Sequence, residues 1–267
     1  MLGGMATLGG KPMSADDLLP LALTNFGHFT SMRVDGDGSI RGLRLHMERL
    51  VRDCKTVWGA DLDATLVREY VRRGLEGQSG PCVVRVTIYD PKVEMGHPAD
   101  ADEPHILVSV RGAGALPPEP LRAMSVPYER DLPEVKHVGL FGALHARGAV
   151  QRAGFGDALF VGRDGRVSEG GTWNVGFIDR NGTVVWPQAP VLPGVTMALL
   201  RKHGNGVEHR TAPITIDQAK RMAAVFATNT SIGVRALSAI NDKELSAEHP
   251  VLSELRETYL SIPGETL

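Results

Sequence analysis

The chain has 267 residues, 42% of them hydrophobic, and this length and composition allow one large domain or two modest ones around a substantial core. The net charge of -2 gives no electrostatic reason to expect binding to nucleic acid or to an anionic membrane. The two cysteines, Cys54 and Cys82, predict neither a disulfide framework nor a metal site. No apolar run approaches the length of a membrane span, and no basic region precedes an apolar core at the N-terminus, so we expect a soluble cytoplasmic protein.

The first half of the chain predicts an α+β domain. Residues 1–13 are glycine-rich and are expected to be frayed, and Met5 is an alternative to Met1 as the start. Ser14 is followed by two acidic residues and predicts the start of a short helix. The DGDG sequence at 35–38 predicts a hairpin turn. The other elements are predicted at 29–34 (strand), from Ser39 (strand), at 44–58 and 63–75 (helices), and at 82–89 and 105–110 (strands).

The segment at 112–121, GAGALPPEPL, is the best candidate linker, because its Pro and Gly content disfavours both helix and sheet. We therefore predict a smaller N-terminal α/β domain at 1–116 and a larger C-terminal domain at 117–267. The second domain is expected to be richer in strands. Its strands are predicted at 124–127, 158–161, 174–178, 184–186 and 223–228, and its helices at 139–153, 196–203, 216–222 and 252–260.

Two of the predicted helices are amphipathic, and their apolar residues are expected to face a core. In the helix at 44–58 these residues are Leu45, Leu50, Val51 and Cys54. In the helix at 139–153 they are Leu140, Leu144 and Val150.

One stretch, from Lys136 to Asn174, places a lysine and an acid around a helix and a hairpin. The lysine follows a proline-rich connector, and Glu169 stands among glycines after the RDGR turn at 163–166. A lysine that is buried beside other cationic charge has a lowered pKa, so its amine can hold a carbonyl cofactor as a Schiff base. The carboxylate of Glu169, at the end of a hairpin strand, is expected to face a pocket.

Four segments together resemble the fold-type IV, or class IV, pyridoxal 5'-phosphate (PLP) enzymes, which include branched-chain and D-amino-acid aminotransferases and aminodeoxychorismate lyase. The segments are LHMERL, RDLPEVK ending at Lys136, GFGDALFVGRDGRVSEGGTWNVGF, and LPGVT. They occur in the order and spacing of that family and span most of the chain. The resemblance implies a two-domain α/β fold like that of D-amino-acid aminotransferase, a cofactor cleft between the domains, and a homodimer.

The resemblance also implies roles for individual residues. Lys136 forms the Schiff base with PLP, and Glu169, with Asn174 closing the same motif, keeps the pyridine nitrogen protonated. Arg49 binds the phosphate, as do the backbone N–H groups of Gly194, Val195 and Thr196 at the start of a helix and the Thr196 hydroxyl. The family's second phosphate loop corresponds to Thr230 and Ser231, for which ordinary turn capping is the alternative. Leu192 packs on the cofactor ring or is a core leucine.

Substrate contacts are predicted at three further positions. Tyr128 and Arg130 precede the lysine and are candidates to contact a substrate carboxylate, and Thr30 is a candidate to line the pocket in a lyase-like enzyme. No metal site is predicted.

The resemblance implies transfer of an amino group between an amino acid and a 2-oxo acid. One alternative is the elimination catalysed by aminodeoxychorismate lyase, which gives 4-aminobenzoate and pyruvate. Another is a cofactor-binding member without turnover, motivated by Phe141, which replaces the tyrosine that many family aminotransferases place five residues after the lysine. The sequence leaves the donor, the acceptor and the L or D stereochemistry undecided.

Overall fold

The computed structural model describes residues 6–204 and 206–267, so the two candidate start residues, Met1 and Met5, lie outside the described part. The chain divides into two compact units. Unit 1 comprises residues up to Ala113 together with Val135–Gly139 and Pro263–Leu267, and unit 2 comprises Gly114–Glu134 and Leu140–Ile262. The predicted division at 116 and 117 would leave residues 135–139 and 263–267 in the C-terminal domain, whereas their contacts assign them to unit 1.

Unit 1 is built on an antiparallel sheet with the strand order β2-β1-β5-β4-β3. Its strands are β1 (Ala6–Leu8), β2 (Lys11–Pro12), β3 (His28–Val34), β4 (Cys82–Tyr89) and β5 (His105–Gly112). Its helices are α1 (Ala15–Thr24), α2 (Leu43–Trp58) and α3 (Ala64–Gly74), with a 3-10 turn at Pro98–Asp100. Helix α2 packs on β3, and α3 packs on β4 and β5, so the core lies between these helices and one face of the sheet.

Local capping explains where two of these helices begin. The Ser14 side chain accepts a hydrogen bond from Asp17 N while the Asp17 carboxylate accepts one from Ser14 N, which forms a capping box at the start of α1. The Asp63 carboxylate accepts from the N–H groups of Thr65 and Leu66 at the start of α3. Both starts were predicted to within a residue or two.

The structure corrects three predictions for unit 1. Residues 6–12, predicted to be frayed, form β1 and β2, because Gly9 and Gly10 adopt positive φ angles that turn the chain between them. The turn at 35–38 is present, but no strand follows it: only Ile40 pairs, with Glu265, before α2 begins. The apolar side of α2 is rotated from the predicted one. Val51 is exposed, and the buried side includes the polar residues His46, Arg49 and Asp53.

Unit 2 is built on nine strands in the order β11-β10-β9-β12-β13-β6-β7-β8, with β14 paired to β13. The strands are β6 (Leu121–Pro127), β7 (Asp157–Val161), β8 (Val167–Gly170), β9 (Asn174–Ile178), β10 (Val184–Pro187), β11 (His209–Ala212), β12 (Ala224–Asn229), β13 (Gly233–Ile240) and β14 (Lys243–Glu244). The helices are α4 (Phe141–Arg152), α5 (Val195–His203), α6 (Ile216–Ala219) and α7 (Pro250–Ser261). Strand β8 also pairs with β9, which closes β6, β7, β8, β9, β12 and β13 into a ring around an apolar core.

Three expectations for unit 2 also change. Strands β11, β13 and β14 were not predicted, and α6 is shorter than the predicted helix at 216–222. Helix α4 lies where it was expected and buries Val150 as predicted, but Leu144 is exposed, and Ala143 and Ala146 are buried in its place. Small side chains fit here because α4 packs closely on β6 and β7.

None of the helices within residues 6–204 and 206–267 is long and apolar enough to cross a lipid bilayer. The same residues contain no group of three or more Cys, His, Asp or Glu side chains that could hold a metal ion.

Candidate functional site

The segment that carries Lys136 lies along the edge strand of the unit 1 sheet. Phe29 N donates to Lys136 O over 2.9 Å, and Val138 N donates to Gly27 O over 2.9 Å. His28 and His137 form the antiparallel bridge between these two bonds. The sheet of unit 1 therefore fixes the backbone of the lysine by long-range pairing.

The other side of the Lys136 peptide is held by helix α2. Lys136 N donates to Asp53 Oδ2 over 3.0 Å, and Asp53 Oδ1 accepts from Arg52 Nη2 over 2.7 Å. The Asp53 side chain is completely buried. The Lys136 amine lies over the ring of Phe29, with Nζ 4.8 Å from the ring centroid. Sequence reasoning selected Lys136 as a candidate and did not select Asp53.

Arg49 is part of a buried polar cluster with Thr30 and His46. Arg49 Nη2 donates to Thr30 Oγ1 and, over 3.3 Å, to His46 Nδ1. Thr30 Oγ1 lies 2.7 Å from His46 Nδ1, and since both atoms accept from Arg49, the Thr30 hydroxyl donates to His46. The imidazole then carries its proton on Nε2. Burial, Arg49 and Lys136 hold the pKa of His46 well below its usual value of 6.5, so this histidine is neutral.

This cluster changes the interpretation of Thr30. Its side chain is fully buried on the α2 side of β3, where it holds Arg49 instead of lining a substrate pocket. Arg49 Nε is buried and has no hydrogen-bond partner among the described residues. Burial lowers the pKa of Arg49 to about 10, which leaves the guanidinium charged at neutral pH. A buried, charged donor that protein atoms do not satisfy suits an anionic ligand such as a phosphate.

His28 and Arg85 are two further polar side chains of unit 1 that the sequence analysis did not select. The His28 ring is fully buried, neither nitrogen has a partner within residues 6–204 and 206–267, and burial lowers its pKa to about 4. Arg85 lies on the opposite face of the sheet, with its guanidinium carbon 3.7 Å from the centroid of the Phe29 ring and Nε donating to Thr87 Oγ1. Burial lowers the pKa of Arg85, and it has no carboxylate partner in the described chain.

In unit 2, Glu169 lies where β8 meets β9, directly paired with Asn174. Its side chain is buried and accepts hydrogen bonds from three groups. Arg130 Nη1 donates to Oε1 over 3.2 Å, and Oε2 accepts from Leu192 N over 3.2 Å and from Asn174 Nδ2 over 3.5 Å. Arg130, predicted as a substrate contact, is thus the ion-pair partner of Glu169, with both side chains almost fully buried. The guanidinium of Arg130 thus supplies a charge-assisted hydrogen bond to this buried carboxylate.

Asn174 connects Glu169 to the loop before α5. Asn174 Nδ2 donates to Leu192 O over 2.8 Å, so Leu192 is bound through both of its backbone groups. A side chain at Gly194 would collide with Asn174 Oδ1, which explains the glycine at this position. Val195 is buried, and Leu192 is nearly so.

The start of α5 carries unsatisfied donors. Gly194 is the N-cap and provides no side-chain cap, so the first N–H groups of α5 have no capping oxygen from it. Thr196 is 1% exposed, and its Oγ1 has no hydrogen-bond partner among the residues that the structure describes. A helix N-terminus with a buried, unpartnered hydroxyl suits a phosphate.

The loop of Thr230 and Ser231 is organised by capping. Asn229 Oδ1 accepts from Ser231 N over 2.8 Å and from Ile232 N over 3.0 Å. The backbone N–H of Ser231 is therefore used inside the turn. A contact of the Thr230 and Ser231 hydroxyls with a phosphate stays a prediction.

Two aromatic residues discussed from the sequence make ring contacts. Tyr128 packs on Phe160, with ring centroids 4.6 Å apart, and its ring closely approaches Gly142. Packing between β7 and α4 orients Tyr128, and its contact with a substrate carboxylate stays a prediction. Phe141 is 84% exposed at the start of α4 and stacks on His145, where it provides no polar group.

The residues present fit PLP by the chemistry of their donors. Unit 1 offers a lysine amine with a fixed backbone and a guanidinium with an unpartnered Nε. Unit 2 offers a buried carboxylate and a helix N-terminus with an unpartnered hydroxyl. These are the groups that an aldehyde, a pyridine nitrogen and a phosphate require.

Comparisons with known proteins identify the family and the fold of this chain. A family model described as amino-transferase class IV matches residues 27–240. No curated protein sequence matches the chain significantly. Because the structural similarities below occur at low sequence identity, they show the fold alone.

Three solved structures illustrate this fold. The branched-chain aminotransferase from the archaeon Thermoproteus uzoniensis, solved with norvaline, has a TM-score of 0.87 and 22% identity and covers 97% of this chain and 94% of its own. The T.th. branched-chain amino acid aminotransferase complexed with N-(5'-phosphopyridoxyl)-L-glutamate has a TM-score of 0.83 and 21% identity. The match covers 96% of this chain and 93% of that enzyme. A hypothetical aminotransferase from Mycobacterium tuberculosis has a TM-score of 0.83 and 17% identity, with 97% and 98% covered.

The predicted fold-type IV α/β fold and the predicted use of PLP are therefore confirmed, and nothing in these comparisons favours the lyase alternative. The chain belongs to the class IV aminotransferase family and uses PLP to transfer amino groups.

Proposed function

We propose that Lys136 is the amine that attaches PLP covalently, and that the enzyme transfers amino groups from amino acids that carry an acidic side chain. The observation that carries the assignment of Lys136 is its backbone, which is hydrogen-bonded to β3 on one side and to the buried Asp53 on the other. An amine that must reach one carbon atom repeatedly needs a backbone that is fixed in this way.

The other candidate residues bind the different polar groups of the cofactor. In unit 1, Arg49, oriented by Thr30 and His46, is a phosphate-binding candidate, and in unit 2 the N-terminus of α5 with Thr196 is another. Glu169 would accept a hydrogen bond from the protonated pyridine nitrogen, and Leu192 would pack on the ring. Bound PLP supplies an aldehyde and a pyridinium that withdraws electrons from the substrate's α-carbon.

The protein residues then supply the proton transfers. In a transamination, Lys136 would move a proton between the substrate α-carbon and C4' of the cofactor. Glu169 would hold the protonated pyridine nitrogen with its carboxylate, which Arg130 Nη1, Leu192 N and Asn174 Nδ2 orient. Phe141 provides no hydrogen bond to the cofactor, so the electronic state of the pyridine ring depends on Glu169 and Arg130.

Arg85 supports the proposed class of donor. Its guanidinium lies on the same Phe29 ring as the Lys136 amine, is largely buried, and lacks a carboxylate partner among the described side chains. A guanidinium in this state binds a carboxylate in bidentate fashion. The T.th. branched-chain enzyme was crystallised with a phosphopyridoxyl derivative of L-glutamate, which is consistent with an acidic donor. A homodimer and a cytoplasmic location remain predictions.

The first experiment is an absorption spectrum from roughly 300 to 500 nm, the region of protein-bound PLP, before and after borohydride reduction, with the modified lysine located by peptide mass. We expect reduction to fix PLP on Lys136 and the Lys136→Ala variant to lose the covalent product. Lys55→Ala, at an exposed position of α2, is the control and should behave as the wild type. PLP fixed on another lysine, or not taken up at all, would reject the assignment.

The donor class is tested by steady-state kinetics with L- and D-glutamate, L- and D-aspartate, leucine and valine. We expect Arg85→Leu to raise KM for an acidic donor about 10-fold or more while the constants for leucine change little. Arg111→Leu, at an exposed position of β5, is the matched control. Equal losses for acidic and apolar donors would reject this role of Arg85.

A further inference from the structure

Asp53 is an unusual residue for the core of unit 1. It lies on the buried side of α2, and its side chain has no exposed surface. Its Oδ1 accepts from Arg52 Nε over 3.0 Å and from Arg52 Nη2 over 2.7 Å, and its Oδ2 accepts from Lys136 N over 3.0 Å. Burying a carboxylate in this way is costly, and a packed apolar side chain would often serve stability as well or better. The charge therefore calls for an explanation other than stability.

The partner of Asp53 gives that explanation. The carboxylate accepts from Lys136 N, an N–H that the pairing with β3 does not use, since that pairing uses Lys136 O and Val138 N. Lys136 is thus held on both sides: Asp53 binds the peptide before it, and β3 binds the peptide after it. Removing Asp53 would leave the attachment to β3 but free the peptide to rotate about it.

Helix α2 also carries Arg49, one turn before Asp53. Residues four apart on a helix share a face, so the phosphate-binding candidate and the lysine clamp belong to one rigid element. Arg49 of this face contacts Thr30 of β3, and Asp53 of the same face contacts Lys136. A fixed distance between a phosphate site and an amine is what a cofactor with a phosphate at one end and an aldehyde at the other requires.

We propose that Asp53 is a positioning residue that sets the Lys136 amine relative to Arg49, so that the amine reaches the cofactor aldehyde. This inference rests on the proposed role of Lys136. The covalent capture of PLP depends on Asp53, whereas the non-covalent binding of pyridoxamine 5'-phosphate does not. The latter has an amine in place of the aldehyde and forms no bond with the lysine, but it presents the same phosphate and pyridine nitrogen.

The test compares these two ligands in Asp53→Ala and Asp53→Asn. We expect Asp53→Ala to slow borohydride-trapped capture of PLP on Lys136 about 10-fold or more, and to change the Kd for pyridoxamine 5'-phosphate less than about 3-fold. Asp53→Asn retains an oxygen for Lys136 N, and Arg52, whose side chain is 47% exposed, can turn its guanidinium into solvent. This variant should therefore recover most of the capture rate.

A matched control separates positioning from stability. Asp90 is another fully buried carboxylate of unit 1, and it accepts from the N–H groups of Lys92 and Glu103, far in sequence from the lysine segment. We expect Asp90→Ala to lower the free energy of unfolding without slowing capture by Lys136. If Asp53→Ala weakens the binding of pyridoxamine 5'-phosphate as much as it slows PLP capture, and only in proportion to a lower free energy of unfolding, the role of Asp53 is overturned and the proposed function stays intact. A wild-type protein that fixes no PLP on Lys136 would overturn both.

Discussion

The candidate residues of the two units are built in different ways. In unit 1, they are side chains on the buried face of α2 and on the edge of a sheet, and they satisfy one another across long sequence separations, as Asp53 and Lys136 do. In unit 2, they lie on neighbouring segments, where a hairpin, a loop and a helix start present backbone N–H groups and short side chains. The first arrangement depends on buried charges and the second on backbone shape. Substitutions should therefore affect them differently.

The largest expected effect is in the buried polar cluster of unit 1. Arg49→Leu removes the guanidinium that contacts Thr30 and His46, and we expect the Kd for PLP to rise about 100-fold, or roughly 3 kcal/mol. Equilibrium titration of the apo-protein with PLP measures this change. Arg44→Leu, on the exposed face of the same helix, should leave the Kd within about twofold. A small effect at Arg49 would show that the cluster is purely structural.

Unit 1 should also be the acid-sensitive part of the protein. Burial lowers the pKa of His28 to about 4, whereas in the unfolded chain this histidine titrates near 6.5. Between these values the unfolded chain binds more protons than the folded one, so stability is lost as the pH falls from 6.5 towards 4. We expect the free energy of unfolding to decrease by about 2 kcal/mol from this residue between pH 8 and pH 5.

Urea denaturation across this pH range measures the effect. The charged groups near His28 are Asp53 and Arg49 of α2, which act on its pKa in opposite directions. His28→Leu should reduce the slope by the contribution of His28 and leave the contribution of His46, whose pKa is also lowered by burial. An identical profile in His28→Leu would contradict the argument.

In unit 2, backbone shape should matter more than charge. Gly194→Ala places a methyl group against Asn174 Oδ1 and displaces the amide that binds Leu192, so we expect a loss of about 1–3 kcal/mol in the free energy of unfolding. Differential scanning calorimetry and denaturant titration measure it. Gly36→Ala, where an added Cβ meets no atom within 4 Å, should change stability by less than about 0.5 kcal/mol.

The smallest expected effect is at the start of α5, where a substitution should change the affinity for PLP but not the stability of the fold. Thr196→Val removes a hydroxyl without a partner in the described chain, so stability should stay constant or rise slightly. The affinity for PLP should fall about 5-fold to 10-fold, or roughly 1 kcal/mol, because the phosphate loses a donor. Thr228→Val should show the opposite pattern, since Thr228 Oγ1 donates to Gly233 O and supports the fold. Equal stability losses in both variants would contradict a ligand role for Thr196.

The local features of this protein were determined by the sequence alone. Hydrophobic periodicity and turn residues predicted most helices and strands, and the motifs around Lys136, Glu169, Arg49 and Gly194 predicted the candidate groups, because each depends on neighbours a few residues away. The orientation of α2 was not predicted correctly, because its buried face contains Arg49 and Asp53, which a count of apolar residues assigns to solvent.

Only the tertiary structure decided which polar groups satisfy one another. Residues 135–139 join the sheet of unit 1, Asp53 accepts from a residue 83 positions away, and Arg130 pairs with a carboxylate 39 positions away. None of these pairings has a local signal, because a buried charge is tolerated only when the fold brings its partner within hydrogen-bond distance. The chain therefore specifies its chemistry through local motifs, and the geometry of that chemistry through contacts made only on folding.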